Sequence, residues 1–166
     1  KPTGVLSYHN PNRFDRNHFV QLLTGNSIFT AACHMVRMDV FDETHKDRKI
    51  FQSRVGAVWQ MLLPIYYKYN RGFIAKPLVK WVQRKDSISN KVQNINEVIK
   101  GSKELLKIRV AVLDSIPMLV SDRELYKKIA GMNNADSFMR KGIALRSKKL
   151  FYIGYNYYKD NKVLKC

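Results

Sequence analysis

Apolar side chains recur at alternating steps of three and four through most of this chain, and that spacing commits it to helices. Phe19, Leu22, Asn26, Phe29, Cys33, Val36 and Val40 form one such seam, with Asn26 as its polar member. The spacing predicts one long helix over Phe19 to Val40, preceded by Pro11, with Asn26 fixing register against a neighbour. "DETHKD" closes it, with Thr44 as N-cap of the next helix and Asp47 at the third helical position. Phe51, Val55, Val58, Leu62, Ile65 and Tyr69 predict a second long helix over Phe51 to Tyr69. Pro64 should kink it, and Gly72 suits the left-handed turn that stops it.

A third long element is expected over Ile88 to Leu113, capped by Asp86 or Ser87. Its seam is Ile88, Val92, Ile95, Ile99, Leu106, Val110 and Leu113, and Ser115 to Pro117 ends it. Ser121 and Glu124 read as a capping box for a short helix ending near Gly131. "LFYIGYNYY" fits either helix or extended chain. The expectation is therefore an all-α, single-domain, up-and-down bundle of about five helices spanning residues 1–166. Residues 1–12 would be an arm and 137–166 a basic, aromatic C-terminal extension.

Thirty Lys and Arg stand against thirteen Asp and Glu, a net charge of +17, while 45% of residues are hydrophobic. The chain is thus no disordered polybasic tail, and its partner must be anionic. Between Thr44 and Lys85 there are ten bases and one acid; Ser137 to Cys166 holds eight bases and one acid. No apolar run reaches the ~18–20 residues that span a bilayer. The start at Lys1 suggests a processed or trimmed N-terminus. Cys33 and Cys166 are two thiols whose pairing the sequence leaves open. On the seam, Cys33 is expected to be a small buried residue.

The catalytic inventory is thin. His9, His18, His34 and His45 show no metal-binding spacing, and no nucleophile elbow or phosphate-cradling glycine loop occurs. Cys33 and His34 are neighbours in sequence, but on a helix they would point about 100° apart. The reading is not an enzyme, with no metal and no cofactor.

"WQMLLPIYYKYNRGF", Trp59 to Phe73, is apolar on more than one helical face. Such a segment is either central in a bundle or carries an exposed patch. The sharper expectation is a partner-binding patch of Trp59, Leu63, Tyr67, Phe73 and Trp81. Arg54, Lys68, Arg71, Lys76 and Lys80 would flank it. A secondary patch is expected at Arg146, Lys148, Lys149, Phe151, Tyr155 and Tyr158, within a stretch that also holds Arg140, Lys141 and Tyr152. Three anionic partners fit bases interleaved with aromatics: nucleic acid, a membrane surface and an acidic protein coat. Nucleic acid has no supporting motif.

The order of several short motifs resembles the gastropod sperm acrosomal protein family, which includes abalone sperm lysin and a related sperm fertilisation protein. The carriers are "YHNPNRF" near the N-terminus, "DRKIFQSRVGAVWQMLLPIYYKYN", "KPLV", "VLDSIP" and "MNNAD" at Met132 to Asp136, over about Tyr8 to Gly142. The tail beyond Gly142 and the two cysteines depart from the lysin pattern. The resemblance implies a helical, secreted, cationic protein of the sperm acrosomal vesicle that works without catalysis. It would bind an anionic egg membrane and promote fusion, or bind an acidic egg-coat glycoprotein and dissolve the vitelline envelope; a homodimer is a further option. Outside the family, the alternative is a basic accessory subunit of a mitochondrial or ribonucleoprotein assembly.

Overall fold

The computed structural model describes residues 14–25, 33–48, 56–74, 76, 78, 79 and 94–161. Several sequence expectations lie outside them. These are the arm 1–12, Asn26, Phe29, Phe51, Arg54, Val55, Lys80, Trp81, Asp86, Ser87, Ile88, Val92 and Cys166. Among the described residues the fold is all-α, with six helices and no strand. The chain groups into two compact units, Lys1–Asn90 and Lys91–Cys166.

The first unit holds α1 (Phe19–Leu23), α2 (Met38–Thr44) and α3 (Ala57–Lys68), with α1 and α2 both packing on α3. The single helix expected over Phe19 to Val40 does not form. Gly25 turns to φ 74° just after α1, and Arg37 is extended at φ −67°, ψ 136° before α2 begins. Off that broken seam, Cys33 is exposed. Thr44 ends α2 instead of opening a helix, because its hydroxyl donates backwards to Val40 O at 2.9 Å. The second helix begins only at Ala57, since Gly56 precedes it at φ 78°. Pro64 lies inside α3, which runs on to Lys68. Its end is an extended Tyr69, and Gly72 does not take a left-handed φ.

The core of this unit joins Phe19, Leu22 and Leu23 to Trp59, Leu62, Leu63 and Ile65. Each such side chain contributes about 1.5–3 kcal/mol when fully buried. Gln60 is buried with them, and its carbonyl accepts from His45 Nε2 at 3.0 Å.

The second unit is α4 (Ile95–Ser115), α5 (Val120–Ala144) and α6 (Lys148–Asn161), with α5 packed against both others. Asn94 caps α4 in a reciprocal box: Glu97 N donates to Asn94 Oδ1, and Asn94 N to Glu97 Oε2, each at 2.9 Å. Ser115 ends α4 as expected, with Ile116 extended ahead of Pro117. The expected Ser121 box is absent. Leu119 is the N-cap, without a side-chain bond, and Ser121 lies within the first turn of α5.

The short helix expected to end near Gly131 instead runs on to Ala144. Residues 137–161 are therefore part of the second unit's helices. Residues 137–144 complete α5 and residues 148–161 form α6, which settles "LFYIGYNYY" as helix. Val98, Phe138 and Leu150 form a buried cluster, joined by Ile99 and Ile153.

Candidate functional site: a basic aromatic face on the α5–α6 turn

Among the described residues, the larger predicted patch does not assemble on the surface. Trp59 is 7% exposed and Leu63 0%, so the apolar stretch in α3 is core. Tyr67 is half-buried, with its ring 5.4 Å from that of Phe19. Phe73 is half-buried too, edge-on to Phe14 at 5.4 Å. Two flanking bases are also engaged. The Lys68 ammonium pairs with Glu43, which Tyr69 also reaches through its hydroxyl; that bond to Glu43 raises the Lys68 pKa. Arg71 donates from Nε to Asp15 O at 3.2 Å and lies 5.8 Å from the Phe73 ring. Lys76 is exposed, while Arg54, Lys80 and Trp81 fall outside the described residues.

The secondary patch is largely brought together. Two short stretches build it: the last turn of α5 and the first two turns of α6. Between them, Leu145 N donates to Lys141 O at 2.9 Å and Ser147 N to Gly142 O at 2.8 Å. Arg146 adopts φ 51°, a left-handed conformation uncommon for a side-chain-bearing residue. Ser147 then starts α6, with its hydroxyl oxygen accepting from Leu150 N at 3.4 Å.

On this frame stands a ring cluster. Phe151 lies 5.9 Å from Tyr152 and 6.3 Å from Tyr155, and Tyr152 lies 6.3 Å from Tyr155. Tyr152 is 55% exposed and Tyr155 48%. Ile143, 69% exposed, shares a wall with Phe151 and Tyr152, and Leu145 in the same turn is 51% exposed. A hollow of about 310 Å³ opens there, walled by Ile143, Arg146, Lys148, Phe151 and Tyr152.

Five bases, Arg140, Lys141, Arg146, Lys148 and Lys149, lie between residues 140 and 149, and no acid does. Arg140 pairs with Asp136 at 2.8 Å, and Lys149 donates to Asn96 Oδ1 at 3.4 Å. Tyr158 does not join the face: its hydroxyl donates to Met132 O at 3.4 Å, and burial raises its pKa. Ile143 and Leu145 escaped sequence reasoning, because isolated aliphatics among bases carry no periodic signal.

A second hollow, of about 300 Å³, is lined by His34, Met38, Phe41, Met61 and neighbouring aliphatics, with no Lys or Arg on its wall. Among the described residues no cluster of His, Cys, Asp and Glu could hold a metal ion. No described helix is long and apolar enough to cross a membrane.

Such a face can attract an anionic surface through its bases and seat rings and aliphatic groups at an interface. Comparison with known proteins found no matching family, no similar characterised protein and no similar solved structure.

Proposed function

We propose that this chain is a non-enzymatic, cationic surface-binding protein whose partner is an anionic membrane. In the terms of the resemblance noted above, it is a secreted sperm acrosomal protein that binds the egg membrane and promotes sperm–egg fusion. The observation that carries the reading is the α5–α6 turn: Tyr152, Tyr155, Ile143 and Leu145 are each exposed, next to five bases between residues 140 and 149, of which, among the described residues, Arg140 alone pairs with an acid, Asp136. A base near an anionic bilayer contributes about 1 kcal/mol, and the rings add interfacial burial. A net charge of +17 supports the same partner.

Vesicle flotation tests it. The protein should float with phosphatidylcholine vesicles containing phosphatidylserine and remain behind with pure phosphatidylcholine. Lipid mixing should scale with protein added and saturate. Equal flotation with both vesicle types would reject the anionic partner, and turnover at catalytic amounts would reject the stoichiometric mode of action.

A further inference from the structure

The end of the second unit opposite the basic face carries a different surface. Leu119 and Val120, consecutive in the α4–α5 turn, are each 71% exposed, and Leu125 one turn further along α5 is 53% exposed. The turn is set by backbone geometry: Ile116 is extended before Pro117, and Leu119 is extended at φ −60°, ψ 145° as N-cap of α5. Arg123 Nη2 holds it by donating to Ile116 O at 3.2 Å.

The charge here is balanced. Asp114, Asp122 and Glu124 match Arg123, Lys127 and Lys128. Lys127 bridges Asp114 at 2.8 Å and Glu124 at 3.2 Å. The other end has five bases and no acid between residues 140 and 149. The two ends are separated by the whole of α5, which has 25 residues and so measures ~37 Å. On the exposed side of α5, Glu124 and Lys128 stand near the Leu119 end and Arg140 at the basic end. A helix lying flat in a bilayer would bury an apolar stripe, and these charged positions interrupt one.

Leu119, Val120 and Leu125 together cannot approach the ~800 Å² per partner of a stable protein interface. They are suited to entering a lipid surface, and their charge-neutral setting makes that entry independent of lipid charge. We infer that the unit Lys91–Cys166 bridges two membranes, its basic α5–α6 end on an anionic bilayer and its Leu119–Val120 turn in a second, apposed one. This rests on the membrane reading above. The turn alone binds weakly. Many copies held on one anionic vesicle present many turns to the same second bilayer, so their weak contacts add by multivalency.

The test uses the full chain and two vesicle populations, phosphatidylserine-containing and unlabelled, and neutral phosphatidylcholine carrying a fluorescent lipid. The protein should make neutral vesicles sediment with anionic ones. The pair Leu119→Ser with Val120→Ser should lower that capture about tenfold or more, with flotation on anionic vesicles unchanged. Leu119→Phe, which keeps the turn apolar, should capture at least as well as the parent. Anionic binding without capture of neutral vesicles overturns the bridge and leaves the membrane reading intact. Capture by the serine pair at the parent level overturns it too. A solution dimer abolished by the serine pair would mean that the turn docks a second copy instead. Failure to bind anionic vesicles at all would remove the membrane reading, and the bridge with it.

Discussion

The indole Nε1 of Trp59 donates to the carbonyl of Leu22 at 2.8 Å, across 37 residues of sequence. The last carbonyls of a helix have no intrahelical donor. α1 ends at Leu23, and Leu22 O accepts from both Gly25 N at 3.1 Å and Trp59. One bond thus closes the end of α1 and fixes α3 against it. The same bond decides the reading of the apolar stretch in α3: Trp59 is an anchor of the core and not a probe of the surface.

Leu63 and Trp59 should therefore behave as core residues. Leu63→Ala is expected to destabilise the first unit by about 2–5 kcal/mol. Trp59→Phe keeps most of the packing and should cost about 1–3 kcal/mol through the lost hydrogen bond. Urea denaturation followed by circular dichroism measures both. Unchanged midpoints would return these side chains to the surface.

The helical class was legible in the sequence because period-3.6 patterning survives local irregularity. Helix ends were harder. Gly25 and Gly56 break seams that hydropathy reads as continuous, since a left-handed φ leaves no trace in apolar spacing. Gly131 was misread as a stop: glycine ends many helices, but here it admits the Tyr157 ring against α5. The face of α4 was only partly legible. The predicted seam members Ile99 and Leu113 do pack into the core, but Ile95 is 38% exposed, and the buried side also carries Ser102 and Arg109 beside Val98 and Val112. Arg109 is accommodated through a 3.0 Å bond to Asn133 Oδ1, and burial pulls its pKa down to about 10. Hydropathy cannot place an arginine in a packed face. The basic aromatic face was half legible, because composition marks bases and rings while only the α5–α6 turn gathers them.

That turn depends on close helix approach. A methyl group on Gly142 would lie 2.5 Å from Phe151 N, and one on Gly154 would strike Ala135 O and Met139 Cγ. Gly154→Ala should cost about 1–3 kcal/mol in the second unit, through overpacking against backbone that cannot yield. Thermal denaturation reads this as a lowered Tm. An unchanged Tm would mean that α6 does not sit this close to α5.

His18 makes the first unit acid-sensitive. It is 1% exposed, and neither ring nitrogen meets a hydrogen-bond partner among the described residues. Burial first, then the charge of Arg71, lowers its pKa from 6.5 to about 4; Asp15 opposes and His34 assists. Tyr66 faces the ring edge-on at 6.3 Å. The folded unit thus prefers the neutral ring, and the unfolded chain takes up the proton first. Stability is full above pH 6.5 and is lost as pH falls towards 4, on the order of 3 kcal/mol in all and about 2 kcal/mol by pH 5. Urea midpoints at neutral pH and near pH 5 should differ more for the parent than for His18→Phe. Equal pH dependence in the two proteins would reject a buried neutral His18.

The α5–α6 face should separate into a salt-sensitive and a salt-insensitive part. Arg146 and Lys148 are exposed, and no acid lies between Arg140 and Lys149. Arg146→Ala with Lys148→Ala should weaken binding to anionic vesicles by about 2 kcal/mol, roughly 30-fold, at low ionic strength. In about 1 M salt, where the Debye length is ~3 Å, that difference should nearly vanish. Tyr152→Ser with Tyr155→Ser removes rings that are 55% and 48% exposed. Their loss should weaken binding equally at both salt concentrations, because burial of apolar surface is not screened. Both pairs change exposed positions of α6 or its lead-in, so the circular dichroism of α-helix should persist. Binding that ignores the ring pair at every salt concentration would leave a purely electrostatic contact and remove the aromatic half of the site.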